Sequence, residues 1–120
     1  MTIQEFCEKY YLHDSCITRI DYINESKQLE ITINFCQWAQ ERFTNDKPEN
    51  IWLKLIFHDV DTFKGITGDI DYFSVLDAEI KDEKLRLFIL DDIHDESYEY
   101  YLSPSDIEIV NLDVLENVPI

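Results

Sequence analysis

Apolar and polar residues alternate with a period of two through much of this chain, and no other property of the sequence narrows its fold so far. Leu29, Ile31, Ile33 and Phe35 interleave with Glu30, Thr32, Asn34 and Cys36. Ile51, Leu53, Leu55 and Phe57 repeat the pattern, as do Tyr98, Tyr100 and Leu102, then Ile107 and Ile109. Successive side chains of a strand leave opposite faces of a sheet, so each stretch predicts a strand with one buried face. Only two Gly and three Pro occur in 120 residues, which leaves no linker-like or low-complexity segment.

The rest of the chain fits around these strands. Ile3, Phe6, Cys7 and Tyr10 share one helical face, and Thr2 with Glu5 has the form of a capping box. A short N-terminal helix over residues 2–10 is expected, docked through that face because it is too short to stand alone. A strand over 16–23 and the turn residues Asn24-Glu25-Ser26-Lys27 predict a hairpin with the strand that follows. Residues 37–50 read as a loop with a helical turn. Residues 59–71, which hold both glycines, read as the most irregular segment. From Phe73 onward a meander of four strands is expected, near 74–81, 84–91, 97–103 and 106–113. The near-continuous run Leu85, Leu87, Phe88, Ile89 and Leu90 suggests a strand covered on both faces. In the tail, Val118 and Ile120 are candidates to dock. The fold class is therefore α+β, mainly β: a short N-terminal helix and an antiparallel meander of about seven strands, as a curved sheet, a sandwich or a partial barrel. One domain over residues 1–120 is expected, and the absence of a βαβ rhythm disfavours a Rossmann-type sheet.

The net charge is −16 at pH 7, and after Arg86 no Lys or Arg follows. The 34 residues beyond it carry Asp91, Asp92, Asp95, Glu96, Glu99, Asp106, Glu108, Asp113 and Glu116. A surface of one sign costs stability through self-repulsion and favours a basic partner. Direct binding to nucleic acid or an anionic membrane is disfavoured, since both require Lys and Arg. The opening residues lack the basic and apolar stretches of a signal peptide, and no apolar run approaches the ~20 residues of a membrane span, so a cytoplasmic protein is expected. Cys7, Cys16 and Cys36 form an odd set without CxxC spacing, which predicts buried or half-buried reduced thiols.

Every histidine precedes an aspartate: His13-Asp14, His58-Asp59 and His94-Asp95. If His13, His58 and His94 converge, such pairs can hold a divalent metal for a hydrolase or a metal-binding domain. The simpler reading is local, because neighbours on a strand point to opposite faces and aspartate at a strand end starts a turn. Asp59/Asp61 and Asp69/Asp71 have calcium-loop spacing but fail at the following positions, so an EF-hand is rejected. No nucleophile elbow, zinc-protease or phosphate-loop pattern occurs. No cofactor and no catalytic residue is therefore assigned. Tyr98, Tyr100 and Tyr101 lie among the C-terminal carboxylates, either as core residues or as anchors for a partner.

The run Tyr11-Leu12-His13-Asp14-Ser15-Cys16-Ile17, with a hairpin ending in Phe35-Cys36-Gln37-Trp38, resembles a group of small bacterial proteins from Gram-positive genomes. They share a short helix, an "LHDS" step and a strand meander, and some resemble immunity proteins of polymorphic toxin systems. The match in residues spans 10–38, while the order of elements extends over most of the chain. The resemblance implies a small, non-catalytic protein that blocks a toxin, and it supplies no catalytic residues. The expected function is a non-enzymatic acidic binding domain using Asp91, Asp92, Asp95, Glu96, Glu99, Tyr101 and Glu108 against a basic protein. The alternatives are the metal-dependent domain and an acidic housekeeping domain. An exposed edge strand leaves a homodimer open.

Overall fold

The computed structural model of the chain describes residues 1–41 and 43–113, the Tyr72 side chain excepted. The docking expected of Val118 and Ile120 lies outside these residues. Helix α1 (Ile3–Lys9) carries the predicted capping box: the Thr2 hydroxyl accepts from the Glu5 amide and the Glu5 carboxylate from the Thr2 amide, both at 3.1 Å. Seven strands follow: β1 (Cys16–Ile23), β2 (Gln28–Cys36), β3 (Asn50–His58), β4 (Gly68–Lys81), β5 (Lys84–Asp91), β6 (Glu96–Leu102) and β7 (Asp106–Asn111). A 3-10 turn at Gln37–Ala39 occupies the predicted loop. The protein is mainly β, and all pairings are antiparallel within one open sheet.

The strand order is β6-β5-β4-β1-β2-β3-β7. Two three-stranded meanders meet where β1 pairs with β4. The expected four-strand meander is corrected here, because β7 leaves β6 and pairs with β3 at the opposite edge. The Ser103–Ser105 link explains the departure. The Ser105 amide donates to the His58 carbonyl at 3.0 Å and its hydroxyl to Asp59, which pins the turn to the end of β3. Laid flat, the outer strands of such a sheet would stand roughly 29 Å apart. Three residues separate Leu102 from Asp106, a span of at most about 14 Å. The sheet is therefore rolled, with its two edges facing each other across an open seam.

The alternating residues face inward as expected. Leu29, Ile31, Ile33, Phe35, Leu53, Leu55, Phe57, Leu85, Leu87, Ile89 and Ile107 are buried on the concave side. There α1 packs against β4 and β7. Phe6 stacks on Tyr10 and meets Phe57 edge-on, while Tyr10 meets Phe35. The loop 59–67 fills the rest: Val60 is buried, Phe63 and Ile66 pack on the core, and the Tyr22 hydroxyl holds the Val60 carbonyl at 2.6 Å.

Two further expectations change. Strand β4 begins at Gly68 (φ +97°), inside the segment expected to be irregular. Thr18 of β1 faces a bulge of Ile70, Asp71 and Tyr72, since Ile17 pairs with Phe73 but Arg19 with Asp69. A bulge interrupts the period of two, which hides the strand from its sequence. Strand β5 is covered on one face only. Phe88 and Leu90 lie half-buried on the convex side, where the Arg86 guanidinium sits 4.9 Å above the Phe88 ring.

Candidate functional site

The acidic residues expected to meet a partner are placed in three different ways. Asp91 ends β5 and is 5% exposed. Its Oδ1 accepts from the Ile93 and His94 amides at 3.0 and 3.1 Å, and its Oδ2 pairs with His94 Nδ1 at 2.7 Å. Burial pushes its carboxyl pKa up, but the bonds from His94 and Ile93 outweigh that and hold it below the usual range. Asp91 thus shapes the 92–95 turn that carries Asp92, Asp95 and the start of β6. Asp92 accepts from the Ser74 hydroxyl at 2.6 Å, and Asp95 takes a left-handed backbone (φ 53°).

Glu99 and Tyr101 belong to a network on the convex face. Arg86, the last cation of the chain, donates from Nη2 to Glu99 at 2.9 Å and approaches Glu79 and Asp77 at 3.3 and 3.6 Å. The Tyr101 hydroxyl donates to the other Glu99 oxygen. These two bonds, Tyr101 first, hold the Glu99 carboxyl below its ordinary pKa. Tyr101 itself is 42% exposed. Glu108 stands apart from all of these on β7, at the other edge of the sheet.

The three His-Asp pairs do not form one centre. Asp14, Asp59 and Asp95 all have positive φ (67°, 58° and 53°), so each pair marks a turn at the end of an element. Aspartate tolerates that conformation because its short side chain bonds locally. His13 Nδ1 bonds the Leu76 carbonyl at 2.7 Å, in the second bulge of β4. Among the described residues the one cluster of potential metal ligands holds a single histidine: His58, Asp106 and Glu108, with ligand atoms within 4.8 Å of one another. His58 faces Asp106 directly across β3 and β7, and Glu108 shares their face. The α-amino group of Met1 lies 2.5 Å from Asp106.

What the fold does gather is a cleft of about 440 Å³ between the β4 bulge and the 92–95 turn. Phe73, Tyr98, Ile70, Ile66 and Ile93 supply apolar surface, with Asp69, Asp71, Asp91, Glu96 and His94 beside them. Asp69 is paired with Arg19 at 2.7 Å and Asp91 with His94, which leaves Asp71 and Glu96 as the carboxylates at this rim without a cationic partner among the described residues. Phe73 stacks on Tyr98 with ring centroids 5.8 Å apart. Tyr98 also stacks on Tyr100, whose ring meets Phe63 edge-on, and Phe63 in turn contacts Tyr22 at a tilt. The Tyr98 hydroxyl donates to Glu96 at 2.8 Å, and that bond, with burial, pushes its pKa up to about 12. An apolar floor with stacked rings and a carboxylate rim can hold the aliphatic stem and charged head of Lys or Arg.

Of the residues expected to meet a partner, Asp91 and Glu96 line this cleft, together with His94 of the His-Asp pairs. Phe73, Asp69 and Asp71 line it without being singled out as partner residues by the sequence, whereas Tyr98 is among the tyrosines that read as core residues or anchors. The bulge that brings Asp71 to this cleft leaves no trace in the sequence pattern, and Asp69 before it is held by Arg19 of β1. A second groove, of about 820 Å³, lies between α1 and residues 39–47 and mixes Lys9 and Lys47 with Glu8 and Glu41. Cys7 lines it, and burial raises the thiol pKa of Cys7, Cys16 and Cys36 alike. All three are free and buried or half-buried. Among the described residues no helix is long and apolar enough to cross a membrane. No family model, curated protein or solved structure matches this chain.

Proposed function

We propose that this chain is a non-enzymatic acidic binding protein that captures a basic protein, in the manner of an immunity-type inhibitor of a basic toxin domain. The observation that carries the reading is the aromatic-floored acidic cleft. Phe73 and Tyr98 stack at its floor, and Asp71 and Glu96 stand at its rim beside them. The net charge of −16 steers a cationic partner toward the surface, and the open cleft offers an apolar floor for one of its side chains. A cation over such rings is worth about 0.5–2 kcal/mol, according to how far it is desolvated. Basic proteins encoded beside the gene are the partners to test first. Binding measured by calorimetry should weaken steeply with salt, and Tyr98→Ala or Glu96→Gln should weaken it further. Affinity that ignores both salt and the cleft variants would refute the proposal.

The metal reading survives in a different form, favoured by the His58, Asp106 and Glu108 cluster. One nitrogen and two carboxylate oxygens suit a divalent transition ion. Zinc or manganese titrated into the protein would then raise its melting temperature, and His58→Gln would abolish the rise. An unchanged melting curve would eliminate this reading.

A further inference from the structure

We infer that the free edge of β6 accepts an extended, basic segment of the partner as an added strand, an inference that rests on the binding function just proposed. The two edges of the sheet differ. At the β7 edge the Met1 backbone already pairs with Ile107, with the Ile107 amide donating to the Met1 carbonyl at 2.9 Å and the Met1 nitrogen to the Ile107 carbonyl at 2.8 Å. Among the described residues no backbone bond reaches β6 except from β5. Alternate backbone donors and acceptors of an antiparallel edge strand then point away from the sheet.

Edges are ordinarily blunted by charged side chains, Lys above all, or by Pro, a bulge or shortness. Strand β6 carries only the negative charges of Glu96 and Glu99, which repel another acidic strand but not a basic one, and its seven residues, Glu-Ser-Tyr-Glu-Tyr-Tyr-Leu, pair with β5 without a shift in register. The turn before it adds Asp92 and Asp95. That charge selects the occupant. A second copy would set Glu96 and Glu99 against their own kind and −16 against −16. An incoming strand with Lys or Arg on one face meets Tyr101 and the network in which Arg86 faces three carboxylates, Asp77, Glu79 and Glu99, so that face stays negative. Its other face lies toward Tyr98 and the cleft, so backbone pairing and side-chain capture act on one segment.

The test uses the full chain and a synthetic peptide of four Lys-Val repeats. Its controls are the same peptide N-methylated at every residue, which keeps the charge but removes the backbone donors of both strand edges, and a Glu-Val counterpart. Amide exchange is read by NMR. The expected result is slower exchange, by tenfold or more, at alternate amides of residues 96–102 with the Lys-Val peptide. The methylated peptide should bind more weakly and leave those amides unprotected, and the Glu-Val peptide should not bind. If Lys-Val and methylated peptides bind equally and perturb only the cleft, strand addition is overturned while the acidic binding function stands. If no basic peptide binds at low salt, both fall. A dimer that itself protects residues 96–102 would show that a second copy occupies the edge and would overturn the choice of partner.

Discussion

Ser15→Ala is the change that most directly tests how the LHDS step is built into the sheet. Ser15 is fully buried. Its hydroxyl accepts the Cys36 amide at 2.9 Å, where β2 ends. Its backbone carbonyl accepts the Val75 amide at 2.8 Å, while the Asp14 amide returns a bond to the Val75 carbonyl at 3.0 Å. One residue thus joins the start of β1 to both its neighbours, β2 and β4, at the junction of the two meanders. Alanine removes the acceptor and leaves a buried N–H without a partner, which costs about 1–3 kcal/mol. A domain of this length has an unfolding entropy near ~0.25 kcal/mol/K, so the melting temperature should fall by about 4–12 °C. Thermal and urea melts followed by circular dichroism measure this, with exposed Ser103→Ala as the control, expected to stay within about 2 °C. Exchange of the Cys36 amide should also accelerate. A Ser15→Ala melt indistinguishable from the control, with Cys36 still protected, would refute the role given to this hydroxyl.

Three other outcomes follow from the site. Asp91 has a depressed pKa in the folded protein, so its contribution to stability is present above the ordinary carboxyl value and disappears as pH falls through the folded value. Asp91→Asn should therefore destabilise at neutral pH and converge on the parent below about pH 4; a constant gap across urea melts from pH 7 to 3 would contradict this. In an alkaline absorbance titration, the difference between parent and Tyr98→Phe should show a phenol ionising at about 12, and Glu96→Gln should bring it back toward 10, the ordinary tyrosine value; a step already near 10 in the parent would dissociate Tyr98 from Glu96. Gly65→Ala would place its Cβ 2.5 Å from Phe63 Cζ and 2.7 Å from the Tyr100 ring. It should cost about 1–3 kcal/mol and alter the near-ultraviolet dichroism of the aromatic stack, whereas a neutral result would mean that the 59–67 loop moves freely off β6.

The candidate site shows where sequence reasoning runs out. Residues 98–102 read correctly as a strand with Tyr98 and Tyr100 turned toward the core and Tyr101 outward. The carboxylates around them read as a single surface, and that was too simple. Asp91 is enclosed by its own turn, Glu99 is paired with Arg86, and Glu108 stands at the far edge beside His58. Charge can be counted along a chain, but its partner depends on which strands become neighbours. The three His-Asp pairs make the same point, since each is a local turn device whose repetition carries no spatial convergence.

What the sequence by itself determined is the set of strands, their buried faces and the capped helix. These are local consequences of a period of two, a period of 3.6 and a few turn residues. Only the tertiary structure decided that β7 crosses to β3, that the sheet rolls around α1 and the 59–67 loop, and that a bulge in β4 brings Ile70 and Asp71 into one cleft with Glu96. Pairing order depends on long-range contacts such as Ser105 with His58 and Ser15 with Cys36, whose partners lie far along the chain. A bulge alters the register by its own geometry, so neither it nor the cleft it opens leaves a periodic trace among the residues.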